Sequence, residues 1–265
     1  MTATVTPQGS SGLNGSTVSI VLADPEFPPA LDPRVLSADK DPFAEACDAA
    51  KTGELSAGDL LWSSSATRAS AALVLEPEDA LCRAIQMIPV MMVAIGDALG
   101  AIGPPNLALM FRWPGTIMAN GAATGHVSFA AFPGWEADSV PDRIVVGFEI
   151  LLDASECGWR EPGEDLRTTA LYEEGCGDLD RTMLLESIAR HFLAGLDGWL
   201  HDGFQPVHQS WWSKADETRT VSLGLAGRTL EGEAVGLDEA GGLLVKTDGR
   251  TELVSLLAAR TMVGR

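Results

Sequence analysis

Between Phe111 and Ala130 the chain reads FRWPGTIMANGAATGHVSFA, and the rest of the sequence is best understood around that stretch. Asn-Gly suits a two-residue turn in which both central residues take positive φ. Here it falls at Asn120-Gly121, between an extended entry through Phe111 and Trp113 and a second extended run from Val127. The pattern predicts a β-hairpin.

Other elements follow from local chemistry. Val18 to Leu22 is a short β-branched run, preceded by a Ser/Thr/Gly-rich tail over residues 1–17 that is expected to be flexible. The proline-rich FPPALDP, Phe27 to Pro33, reads as a loop across a surface or pocket mouth, because proline cannot continue a helix or a central strand. Asp41 is placed as an N-cap with Pro42 at the first helical position, so Phe43 to Lys51 is predicted to be a helix. Gly58 to Trp62 and Ala71 to Glu76 read as strands with Ser63 to Ser70 as the loop between them. From Leu81 to Leu99, apolar residues at 81, 85, 88, 92, 95 and 99 make one helical face that ends near Gly100. Met87, Met91 and Met92 in that run read as core filling. Leu107 to Trp113 leads into the hairpin, and Ile144 to Leu152 is the strongest strand. A loop with a short helical piece near Ala170 to Glu174 precedes an amphipathic helix, Arg181 to His201, capped by Asp180.

From about Thr218 the balance changes to six Lys/Arg against six Asp/Glu, so the whole excess of negative charge belongs to the earlier residues. Strands are predicted at Leu230 to Leu237, Gly242 to Thr247 and Arg250 to Leu257, the last two joined by the turn Asp248-Gly249. The expected organisation is therefore a tail (1–17), a main mixed α/β domain (18–217) and a small β domain (218–265).

The formal charge is -19. A field of that sign repels phosphate backbones and anionic lipid, which argues against nucleic-acid and membrane partners. Only thirteen uncharged residues separate Arg83 from Asp97, too few to cross roughly 30 Å of hydrocarbon. The first residues lack a basic and an apolar region of the secretory kind, so a cytoplasmic location is expected. Cys47, Cys82, Cys157 and Cys176 show no zinc-ligand spacing.

The Phe111–Ala130 stretch also resembles the signature hairpin of the biotin and lipoate protein ligases, in which a Trp-Pro-Asn-Asp strand end leads to a Lys-x-x-Gly segment. The corresponding residues here are Trp113, Pro114, Gly115 and Thr116, then Ala122, Ala123, Thr124 and Gly125. Element order continues the resemblance from about residue 20. It implies a mixed-sheet ligase catalytic-domain fold followed by a small SH3-like barrel. Ser63 to Ser70 stands where the ligases carry a longer loop, rich in glycine and arginine, that folds over an adenylate; here one arginine, Arg68, remains. Glu149 stands at the place of a Gly-Ile-Asn segment, as either a salt-bridged structural residue or a pocket acid. Cys157 has no lysine near it in sequence, which the cysteine-dependent lipoyl transferases related to these ligases require.

Ligation in this family runs through an acyl-adenylate, whose developing charge is held by the lysine of Lys-x-x-Gly. Ala122 takes that position, and no lysine occurs between Lys51 and Lys214, although Arg68, Arg112 and Arg143 remain. The sequence therefore leaves two readings: a non-catalytic or regulatory protein that binds a small organic acid, or an active ligase or acyltransferase with relocated residues, which would use ATP, biotin or lipoate and a carrier protein. Ligand-binding candidates are Arg68, Arg112, Trp113, Thr116, Gly125, His126 and Glu149. In the hairpin, Trp113 would supply an apolar wall, Gly125 a close approach to the backbone and His126 a polar contact. The alternative is that Trp113 packs in the core and His126 meets water or a carbonyl.

Overall fold

The computed structural model describes residues 22–157, 166–216, 218–225 and 228–259, with the side chains of 156–157 excepted. The expected tail, most of the Val18 to Leu22 run, the Cys157 side chain and residue 217 lie outside the described residues.

Seven strands form one mixed sheet. They are β1 (Asp32–Leu36), β2 (Asp59–Ser63), β3 (Arg68–Leu75), β4 (Leu109–Arg112), β5 (Thr116–Ala119), β6 (Ala122–Phe132) and β7 (Arg143–Leu151), in the spatial order β1-β2-β3-β7-β6-β5-β4. Among these seven strands β1 and β2 pair in parallel and the other neighbours pair antiparallel. β7 lies in the middle, as its run of Ile and Val suggests. The Asn120-Gly121 turn has φ of 48° and 95°, and it joins β5 to β6. The hairpin is thus a three-stranded meander: Trp113 and Pro114 form a second turn between β4 and β5, so the entry arm is two strands rather than one.

Two further expectations need correction. Phe27 to Leu31 is irregular, but Asp32 and Pro33 open the edge strand β1, where a proline without an N–H leaves no ladder bond broken. The run from Leu81 splits into α2 (Leu81–Ala84) and α3 (Met87–Ile102), which ends at Gly103 rather than near Gly100. Pro89 cannot donate to the carbonyl four residues back, so the break at Ile85-Gln86 puts it in the first turn of a new helix. By length and composition Leu81–Ile102 could cross a membrane, with an 18-residue window of mean hydropathy 1.8, yet 72% of that window is buried inside the fold.

The sheet has two differently covered faces. One lies under α3 and α4 (Arg181–Asp202), with Leu73, Val146, Phe148, Ile150, Val127 and Phe129 in the main core. The other carries α1 (Pro42–Thr52), whose N-cap Asp41 accepts a hydrogen bond from the Phe43 amide at 2.9 Å. Ala46 and Ala50 of α1 pack on Leu61, Ala72, Val74 and Val145 in a small second core. This single helix of 11 residues leaves part of its face uncovered.

After α5 (Gln205–Ser213), a four-stranded antiparallel sheet follows: β8 (Thr220–Leu225), β9 (Arg228–Leu237), β10 (Leu243–Thr247) and β11 (Arg250–Val254). β8 is an addition to the three strands expected. Ala170 to Glu174 forms turns rather than a helix.

Candidate functional site

Strand register decides which candidate residues meet. Ser70 on β3 is opposite Glu149 on β7, Glu149 is opposite His126 on β6, and His126 is opposite Thr116 on β5. Directly paired residues share a face, so these four side chains form one row across four strands. Gly147, two residues before Glu149, identifies that face: a Cβ there would lie 2.8 Å from Phe43 Cδ2 of α1. The row therefore runs along the α1 side, just past the helix.

The uncovered region is a trough of about 740 Å³. Ser70, His126, Ser128 and Glu149 contribute to its floor, while Phe43, Phe132 and Trp135 bring aromatic surface to its sides. Trp135 packs edge-on against Phe129 with centroids 5.8 Å apart. Ser70 and Ser128 are 5% and 3% exposed, and among the described residues neither hydroxyl has a hydrogen-bond partner. Two unpaired hydroxyls of buried residues facing a cavity are groups a ligand or water can satisfy. Cys47 of α1 also lines the trough, and burial pushes its thiol up to about 12.

Charge in the trough is mostly paired. Lys51 Nζ lies 2.8 Å from Asp48 Oδ1, and both border the cavity. Arg68, on the same face as Ser70, places Nη1 at 3.4 Å from Glu149 Oε2. Both members of this second pair are more than one-third exposed, so it is a weak contact at the trough's edge. Among the described residues no group of three or more His, Cys, Asp and Glu is placed to hold a metal ion.

Arg68, Thr116, His126 and Glu149 are thus brought onto one face, and Arg112 on β4 continues the row as the direct partner of Thr116, although its guanidinium turns to Asp216; two other candidates are not on that face. Trp113 is buried and its indole N–H donates to the Gly241 carbonyl at 3.1 Å, at the contact with the small sheet. Arg112 meets Asp216 at 2.7 Å beside that contact. Gly125 is adjacent to His126 but its open side faces the chain itself: a Cβ would collide with the Glu149 carbonyl and come within 2.5 Å of Ile150 Cδ1. Its missing side chain serves strand packing. Sequence reasoning misses Ser70, Ser128 and the α1 residues. Their signal is a hydroxyl within an apolar strand, which gains meaning only when the face is known.

The β2–β3 connection is residues 64–67, shorter than the expected loop because Arg68, Ala69 and Ser70 already belong to β3. It is also tied down. The Ser64 carbonyl accepts from Arg181 Nη1 at 2.7 Å, and the Thr67 carbonyl accepts from the Leu152 and Asp153 amides. Ala122 begins β6 next to the Asn120-Gly121 turn.

Comparison with known proteins agrees with this architecture. The profile of the Biotin/lipoate A/B protein ligase family matches residues 27–213, and that of the Biotin protein ligase C terminal domain matches residues 219–258. The second match covers the four-stranded sheet and agrees with a small SH3-like domain. A biotin--[acetyl-CoA-carboxylase] ligase of Paracoccus denitrificans is 27% identical over 194 residues, 70% of this chain and 76% of the relative. A biotin protein ligase-like protein of unknown function from a Silicibacter species is 35% identical, with 88% of this chain and 97% of that one covered and a TM-score of 0.77. The biotin protein ligase of Aquifex aeolicus, solved in complex with biotin and ATP, shares the fold at TM-score 0.64 and 21% identity, over 84% of this chain and 95% of that one.

Proposed function

The chain belongs to the biotin/lipoate A/B protein ligase family, and from that premise we propose that it is a non-catalytic or regulatory member that binds a small molecule in the trough beside α1. The observation that carries this reading is the row Ser70, Glu149, His126 and Thr116 on an open sheet face, with the hydroxyls of buried Ser70 and Ser128 unpaired among the described residues. Such a floor recognises a ligand; it does not by itself activate one.

Adenylation demands more. The negative charge that develops between a carboxylate and an α-phosphate needs a preorganised cation and several donors. Ala122 brings no cation, and the 64–67 connection, held by Arg181 and by two backbone amides, is too short to close over a nucleotide. The protein acts in the cytoplasm, without nucleic acid or membrane as partner, in keeping with its acidic charge.

One observation favours the second reading, an active ligase or acyltransferase serving a carrier protein. Lys51 borders the trough and is an ammonium supplied from α1 instead of from the hairpin. Titration calorimetry with ATP and magnesium, with biotin or lipoate present, separates the two. The expected result is no nucleotide binding and no labelled adenylate. Micromolar binding, or an adenylate that disappears in Lys51→Ala, would establish the ligase reading instead.

A further inference from the structure

We infer that the trough takes a small molecule with an apolar body and a positively charged amine end, rather than a carboxylic acid; this rests on the reading that the trough is a ligand site. Three carboxylates border it, Asp41, Asp48 and Glu149, against one ammonium, Lys51. Asp48 holds Lys51 at 2.8 Å, and the Arg68 guanidinium at the edge already faces Glu149 at 3.4 Å. An incoming carboxylate would have to compete with a resident carboxylate for either cation. It would do so in the field of a chain with formal charge -19.

An ammonium meets weaker competition, from the Arg68 guanidinium, 3.4 Å from Glu149 in a contact between groups more than one-third exposed. It has three donors and no acceptor, so it needs acceptors grouped around one point. The Glu149 carboxylate is 38% exposed, Ser70 is its direct cross-strand partner, and Ser128 lies two residues along β6 from its other partner, His126. Ser70 and Ser128 are more than nine-tenths buried, and their hydroxyls are without partners among the described residues. Glu149 thus offers charge and the two hydroxyls offer neutral acceptors on one floor. Phe43, Phe132 and Trp135 line the sides for the apolar body.

Matched head groups on one body test this. Biotin, biotinamide and norbiotinamine form one series, and 3-phenylpropionic acid, 3-phenylpropionamide and 3-phenylpropylamine form another. Affinities are measured by calorimetry at low salt on the full chain, on Glu149→Gln and on Ala44→Trp. Ala44 lines the trough from the exposed surface of α1, so the indole narrows the mouth without entering the core. In at least one series the amine should bind about tenfold more tightly than the acid, the scale expected when a partly exposed charge contact changes from repulsion to attraction. Glu149→Gln should remove that preference, and Ala44→Trp should weaken every member. If the acid binds tightest and Ala44→Trp abolishes it, the trough is a ligand site but the amine inference is wrong. If no member binds, or binding is untouched by Ala44→Trp, both the inference and the site reading fail.

Discussion

Replacing Gly147 with alanine would test how α1 is seated, and with it the wall of the trough. The added methyl would lie 2.8 Å from Phe43 Cδ2, 3.2 Å from Phe43 Cβ and 3.3 Å from the Ala71 carbonyl oxygen. The closest atom belongs to a ring anchored at its own Cβ, so the relief available by rotating Phe43 is limited, and the helix must lift by a few tenths of an ångström. Overpacking of this kind costs about 1–3 kcal/mol. For a chain of this size each kcal/mol lowers the thermal midpoint by about 2–4 °C, so a fall of about 2–12 °C is expected. Phe43→Ala alone should cost about 2 kcal/mol, less than a fully buried ring, because Phe43 is only partly buried. In the double variant the collision is gone, and its cost should fall below the sum of the single changes by about 1–2 kcal/mol. Denaturant melts of the four proteins measure that coupling. A Gly147→Ala protein as stable as the parent, or costs that simply add, would show that Phe43 does not seat α1 at this point.

Gln86 accepts from Trp199 Nε1 at 2.7 Å and donates to the Glu239 carbonyl at 3.1 Å, joining α3, α4 and the small sheet. Gln86→Leu leaves both partners unpaired and should cost about 1–3 kcal/mol in a denaturant melt; a neutral result would mean that water replaces them. Asp41→Ala removes the α1 cap and should destabilise by about 1 kcal/mol in the same assay. Burial raises the Asp216 carboxyl, but hydrogen bonds from Arg112 and Thr218 outweigh it and hold the group below its ordinary value. Its contribution to stability is therefore present above the unfolded carboxylate range and lost as pH falls through the lower folded value, so Asp216→Asn should flatten the acid side of a stability profile below pH ~4. Iodoacetamide at pH 8, followed by peptide mass mapping, should label the exposed Cys82 and spare Cys47, whose thiol burial pushes up to about 12; rapid labelling of Cys47 would mean that α1 opens.

Where the controlling interactions are local, sequence alone determined the structure. Asn120-Gly121 and Asp248-Gly249 turn because both members of each pair take positive φ. α1 and α4 start where they do because Asp41 and Asp180 each accept an amide hydrogen bond two or three residues ahead. β7 was legible as a buried strand from its run of Ile and Val, and the order of elements was enough to suggest the family. The rest depended on residues far apart in the chain. β1 exists because β2 offers it an edge, and β8 because β9 does. Gly125 and Trp113 looked like a ligand's wall and floor while only the hairpin was in view. Strand β7 and the small sheet, both remote in sequence, claim that space instead. The trough is the clearest case. Alternation in each strand shows that Ser70, His126 and Glu149 lie on some face, but a strand's two faces are equivalent until register and the covering helix are fixed. Only the pairing of β3, β7, β6 and β5, with α1 too short to cover them all, placed those side chains in one row.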